Sequence, residues 1–288
     1  MKSSYYKYFA ALLLFGSNGI VASNINLPSY EIVLLRLLLG SLFLITVFTV
    51  SRQRFTFYRN KHTCLYLFIS ASAMGASWML LYEAYQQVGI SIASLAYYCG
   101  PVIVMILSPF LFRETLTWPK IAGFLTVLAG MCLVNLQALD EGKTIWGLFC
   151  GLMSAFMYAL MVTANKKAKP ESGLENSLLQ LVIGSFIVVA FVSMQKNFVL
   201  SLTTIDWIPV LLLGLLNTGI GCYLYFSSIT DLPVQTVAIC GYLEPLSAVV
   251  FSVLFLHEVL LPLQMLGAVL ILGGACLLYT SPSPRDTR

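Results

Sequence analysis

Charge is what this sequence has least of. Of its 288 residues only 10% are Asp, Glu, Lys or Arg, whereas 59% are hydrophobic, and the mean hydropathy is +0.87. A water-soluble domain is nearer half apolar and a quarter charged. That leaves too little polar surface to coat a globule, so lipid is the solvent this composition fits. Enzymatic motifs are missing too. The four aspartates, Asp140, Asp206, Asp231 and Asp286, lie outside the cores of the apolar runs, which excludes an intramembrane aspartyl pair. His62 and His257 stand far apart and build no usual metal site. HExxH, GxSxG and GxxxxGK(S/T) do not occur, so zincin, serine-hydrolase and ATP-driven readings fall away. No metal, no cofactor and no enzymatic activity are expected. No CxxC pair is present either, and the seven cysteines all sit in or beside apolar runs. They read as free, small, buried apolar side chains rather than disulfides. The net charge of +4 is spread along the chain and gives no nucleic-acid signature.

What is present in abundance is apolar sequence in windows of helix-spanning length. Ten windows suit membrane helices: 6–25, 30–50, 63–86, 90–112, 118–137, 145–165, 175–194, 205–227, 233–256 and 261–280. The first is too long for a secretory signal and more spans follow at once, so an uncleaved first helix is expected. The connections are short, and no soluble domain fits between them. Residues 281–288 (SPSPRDTR) form a polar tail read as a disordered end or a sequence scar. Lys and Arg set the orientation. Lys2, Lys7, Arg52, Arg54, Arg59, Lys61, Arg113, Lys120, Lys166, Lys167, Lys169, Arg285 and Arg288 fall on one side, and only Lys143 and Lys196 on the other. The first side is expected to be the cytoplasm, with both termini there and the chain in the cell membrane.

The chain is also duplicated. Pro101, Ser108, Glu114, Leu116, Gly123, Gly130 and Cys132 recur 144 residues later as Pro245, Ser252, Glu258, Leu260, Gly267, Gly274 and Cys276. Arg36-x-x-x-Gly40-Ser41 recurs at the same offset as Gln180-x-x-x-Gly184-Ser185. The expected fold is therefore an all-α integral membrane protein of ten transmembrane helices. It divides into one five-helix repeat over 1–141 and another over 142–280. An odd number of helices per repeat inverts the second copy in the bilayer and places a cavity between the two near the midplane.

These residues resemble the drug/metabolite transporter superfamily, EamA type. The shared features are ten spans, two five-helix repeats, a proline in the fourth helix of each, then Glu and a Gly-spaced fifth helix. Arg36, after Pro28 early in helix two, fits as well. The resemblance covers residues 6–279 and implies a secondary transporter. Such proteins are often exporters of amino acids or related metabolites, coupled to protons or to exchange. The resemblance does not fix the substrate: an amino acid and a quaternary-amine drug both remain open, as does a non-transporting scaffold. The expected partners are the bilayer, a small molecule and protons. A monomer and a homodimer both stay open.

Ionisable side chains inside spans are costly and default to function. Glu244, mid-span just before Pro245, is expected to bind substrate or a proton, since a carboxylate in a partly dry site can exchange protons near neutral pH. Glu83 is expected to help it. Arg36 and Glu83 could instead pair with each other, or Arg36 with Glu31, and only fix helices. Glu114 and Glu258, beside Arg113 and His257, are read as turn anchors or gates. Trp78, Tyr82 and Tyr98, with Tyr242 in the place equivalent to Tyr98, offer aromatic faces for an amphipathic ligand; packing is the alternative. Asn18 and Asn217 are either cavity-lining amides or interhelical hydrogen bonds. Tyr5, Tyr6, Tyr8 and Trp118 are assigned to ordinary helix packing or the interfacial belt. Gly147-x-x-x-Gly151 is a close-packing motif. The mechanism expected is alternating access between the two halves, around a cavity lined by helices one, three, four, six, eight and nine.

Overall fold

A computed structural model describes residues 2–114, 117–135, 145–194, 207–256 and 262–279. The elements are helical throughout: α1 Lys2–Gly16, α2 Asn18–Ser23, α3 Ser29–Val50, a short 3-10 turn Phe57–Arg59, α4 Lys61–Tyr97, α5 Cys99–Phe112, α6 Trp118–Asn135, α7 Ile145–Ala168 and α8 Gly173–Ser193. There follow α9 Trp207–Leu211, a π-helical segment Leu212–Ile220, α10 Gly221–Ile229, α11 Val234–Cys240, α12 Leu243–Leu256 and α13 Pro262–Tyr279. Among the described residues six stretches are long and apolar enough to cross a membrane, including 30–50, 61–88 and 145–168. Leu42, Phe68, Phe110, Phe186 and Leu254 point outward and are exposed. In water such a surface would associate; against lipid tails it is the low-energy face.

Helix starts follow local chemistry. The Asn60 side chain accepts the His62 N–H at 2.9 Å to open α4, and Ser172 accepts the Glu175 N–H to open α8. Pro28 and Pro233 precede α3 and α11, where the chain must be extended. Three expected spans are subdivided. The first breaks at Ser17, the eighth is π-helical in its middle, and the ninth breaks at Gly241–Tyr242.

One expected boundary is absent. A break was expected between 86 and 90, but α4 runs unbroken to Tyr97 and the chain bends at Tyr98 instead. The equivalent stretch of the second half does break, at 230–233. Pro233 is the reason: it cannot donate in mid-helix, and its counterpart 144 residues earlier is Gly89, which can.

Packing crosses between the halves. Helix α1 packs on α10 and α12, while α7 packs on α4 and α5; α6 pairs with α13, and α3 with α8. Several contacts are reciprocal at the 144 offset. A methyl on Gly130 would meet the Gly267 carbonyl at 2.5 Å, and one on Gly274 the Gly123 carbonyl at 2.5 Å. The hydroxyls of Ser41 and Ser185, themselves 144 apart, lie 3.0 Å from each other. Gly151 sits against Ala84, Ala93 and Ala96, so α7 meets α4 at close range.

Candidate functional site

Glu244 stands in the first turn of α12, where the helix restarts after its break. The buried Pro245 follows it. In a first turn the missing proline N–H costs no intrahelical bond. The Gly241 carbonyl four residues back is taken by the Glu244 N–H at 3.1 Å. Pro101 holds the same place in α5, just after the bend at Tyr98. The two bends touch: the Tyr242 hydroxyl donates to the Tyr98 carbonyl at 2.8 Å, with ring centroids 6.4 Å apart.

The Glu244 carboxylate forms no hydrogen bond or ion pair among the described residues. Two residues before it, Tyr242 joins through Tyr98 a cluster of tyrosines that includes Tyr8, Tyr97, Tyr158 and Tyr225. These rings are nearly continuous. Tyr97 lies 5.7 Å from Tyr98 and edge-on to Tyr158 at 5.5 Å, and Tyr8 is 5.6 Å from Tyr225. The hydroxyls of Tyr158 and Tyr225 are 3.3 Å apart. The result is an acid two residues from a cluster of phenol rings drawn from α1, α4, α7 and α10, and such rings bind cationic or amphipathic groups.

Arg36 is 7% exposed on α3. Its Nε donates to Thr218 Oγ1 at 2.9 Å, and its Cζ lies 4.6 Å over the Trp78 ring. Thr218 belongs to the π-helical segment and donates its own hydroxyl hydrogen to the Leu213 carbonyl at 2.8 Å. Such segments recur at functional sites. The Arg36 charge acts on Glu244 and on Tyr85.

Glu83 is engaged elsewhere. Its Oε1 accepts from Gln87 Nε2 at 3.2 Å and from Trp146 Nε1 at 3.3 Å. Among the described residues neither Glu83 nor Glu31 forms an ion pair with Arg36, so the helix-fixing pair weighed above is absent. Tyr82 packs edge-on against Tyr85 at 5.2 Å. Asn18 and Asn217 meet each other: Asn217 Nδ2 lies 2.9 Å from Asn18 Oδ1, from Ser17 Oγ and from the Leu14 carbonyl. They pin the break at Ser17 to the π-helical segment. Glu114 accepts the Val234 N–H at 2.8 Å and the Gln235 N–H at 3.1 Å, so it holds the start of α11. Glu258 lies outside the described residues.

Sequence reasoning missed Thr218, Tyr158 and Tyr225. Of the two readings given to Tyr8, packing and the interfacial belt, the structure shows packing: the side chain is fully buried and its hydroxyl donates to the Val237 carbonyl at 2.7 Å. The spacing Tyr8, Leu12, Phe15 on one helix face was the available signal. A separate cleft of about 380 Å³ lies between Thr56–Asn60 and Lys167–Glu175 and does not include this cluster.

An apolar-faced helical bundle with charge and tyrosine turned inward defines a multi-pass membrane protein built around an internal polar site. Residues 3–136, and again 145–280, match the EamA-like transporter family, and the chain belongs to that family. The expected place in the drug/metabolite transporter superfamily is thereby met. The chain is 27% identical over 278 residues to the uncharacterized transporter YxxF of Bacillus subtilis (strain 168), covering 94% of this chain and 88% of that protein. It is 27% identical over 242 residues to the threonine/homoserine exporter RhtA of Escherichia coli (strain K12), covering 84% and 78% respectively. A crystal structure aligns with a TM-score of 0.81 at 17% identity over 96% of both chains, which establishes likeness of fold alone. Family and relatives alike point to a transporter rather than an enzyme.

Proposed function

We propose that the protein is a secondary active transporter of the cytoplasmic membrane that exports amino acids or related small metabolites by alternating access, coupled to protons or to exchange. Ten spans form two inverted five-helix repeats, 1–141 and 142–280, with both termini in the cytoplasm. The reciprocal glycine contacts and the Ser41–Ser185 approach support a two-fold relation between the copies, and the odd number of spans in each makes that relation an inversion. The observation that carries the reading is Glu244: an acid without a partner among the described residues, at a helix restart beside the tyrosine cluster that Tyr242 joins, inside a lipid-facing bundle. An ammonium group or a proton would satisfy it. The bends at Tyr98 and at Gly241–Tyr242 supply places where the halves can rock. The named activity of the Escherichia coli relative favours an amino acid. The aromatic density favours a second reading, export of quaternary amines.

Glu244→Gln removes the charge and keeps the shape. In proteoliposomes this variant is expected to lose coupled flux at least tenfold while eluting and melting as the wild type does. Wild-type flux in the variant would overturn the role of Glu244.

A further inference from the structure

We infer that Arg36 binds the carboxylate of the transported solute, so that the site selects molecules carrying both an ammonium and a free carboxylate. The inference rests on the transport reading above and deepens it. Three features of Arg36 carry it. The side chain is buried, and a buried cation without a counter-charge is costly unless something else repays the loss of water. No acid among the described residues pairs with it. Its plane is fixed in advance, by the Nε bond to Thr218 on one edge and by the Trp78 ring under its face.

A guanidinium carries five N–H donors in a rigid fork, and the Thr218 bond uses one. The end formed by the two terminal nitrogens has no partner among the described residues. That end matches a carboxylate with two parallel hydrogen bonds. The rest of the site supplies the opposite charge. Glu244 is unpaired as well: among the described residues no hydrogen bond or ion pair joins its carboxylate to Arg36 or to any other side chain.

The arrangement occurs once, not twice. Arg36 corresponds to Gln180, Thr218 to Met74, Trp78 to Cys222 and Glu244 to Gly100 at the repeat offset. One cation and one anion, each without its symmetry mate, make a site with a direction. A zwitterion satisfies both ends. A quaternary amine would satisfy Glu244 and leave the Arg36 fork empty, while a sugar or a nucleoside meets neither charge. Thr218 is a positioning residue here: it touches the guanidinium, not the solute.

The test is a flux panel in proteoliposomes holding the full chain: L-amino acids, their carboxamides, their decarboxylated amines, and tetraalkylammonium ions. The expected result is transport of one or more amino acids, with the matching carboxamide competing at least tenfold more weakly. Arg36→Gln is expected to raise the KM for the amino acid at least tenfold, to leave the weak competition by the carboxamide within twofold of wild type, and to be only partly rescued by Arg36→Lys. A merely structural role would move acid and amide together. Equal competition by acid and amide, or an unchanged KM in a folded Arg36→Gln, overturns the inference and leaves the transport reading standing. Should Arg36→Gln fail to fold, the acid–amide comparison in the wild type decides alone. Flux of amines or tetraalkylammonium ions only, or of no member of the panel, overturns the amino-acid reading and this inference with it.

Discussion

Gly100 shows how one atom separates the two copies. At the position where the second copy carries Glu244, the first has glycine, and the space a side chain would fill is occupied by Tyr158. A methyl built on Gly100 would lie 2.7 Å from Tyr158 Cδ1 and 3.2 Å from the Ala155 carbonyl. An acid there would have to displace the Tyr158 ring. Gly100→Ala is therefore expected to push Tyr158 off its hydroxyl contact with Tyr225, to destabilise the protein by about 1–3 kcal/mol, and to lower flux. A denaturant titration and a flux assay check this; wild-type values in both would show that Tyr158 has room to move. Glu244 and Arg36 stand out in the sequence because charge in an apolar run has few innocent explanations, but there Arg36 reads as a structural or gating residue, and its proposed binding role is not legible. Tyr158 and Tyr225 do not stand out, since a tyrosine in a membrane helix reads equally well as packing. Thr218 was hidden for a different reason: its role depends on the π-helical segment, which periodicity does not reveal.

The turn at 230–233 concentrates polar contacts that α4, its unbroken counterpart, does not need. Lys166 on α7 donates to the carbonyls of Ile229, Thr230 and Leu232, which the end of α10 leaves open. Ser4 donates to Asp231 at 2.7 Å. Glu114 takes the first N–H groups of α11, where an acid also meets the favourable end of the helix dipole. Three helices from both halves are thus tied to one break. Glu114→Ala leaves two helix-start donors without their acceptor and is expected to cost about 1–2 kcal/mol. Glu114→Gln is expected to retain part of that, since its amide oxygen still accepts one bond. Equal midpoints for wild type and Glu114→Ala in an unfolding titration would remove Glu114 from any part in holding the turn. Element positions were largely legible from apolar length. The failure at 86–90 came from reading a weak Gln-Gln-Val-Gly stretch as a break, where only its proline-bearing counterpart has the means to stop a helix.

At the scale of the whole molecule, the repeat was visible from one constant spacing, but the interleaving was not. Spacing shows that two copies exist; it does not show that α1 packs among helices of the second half while α7 packs among those of the first. That exchange suits a rocking mechanism, because moving either half must carry a helix of the other. It also makes inversion directly testable. Asn24 and Lys169 occupy nearly equivalent places in the two copies, one residue off the repeat offset, and both are exposed. On the proposed topology of five spans to a copy, the two sites would face opposite compartments. In a cysteine-free background, Asn24→Cys is expected to react with a membrane-impermeant maleimide in intact cells, whereas Lys169→Cys reacts only after the membrane is opened. That expectation takes the Lys- and Arg-rich side around residue 169 as the cytoplasmic one. Labelling of both sites in intact cells, or of neither, would mean that the copies run parallel. The reciprocal contacts at Gly130 and Gly274 do not decide this, because a two-fold axis along the membrane normal yields them just as an axis in its plane does. The compartment each site faces is the observable that separates the two axes.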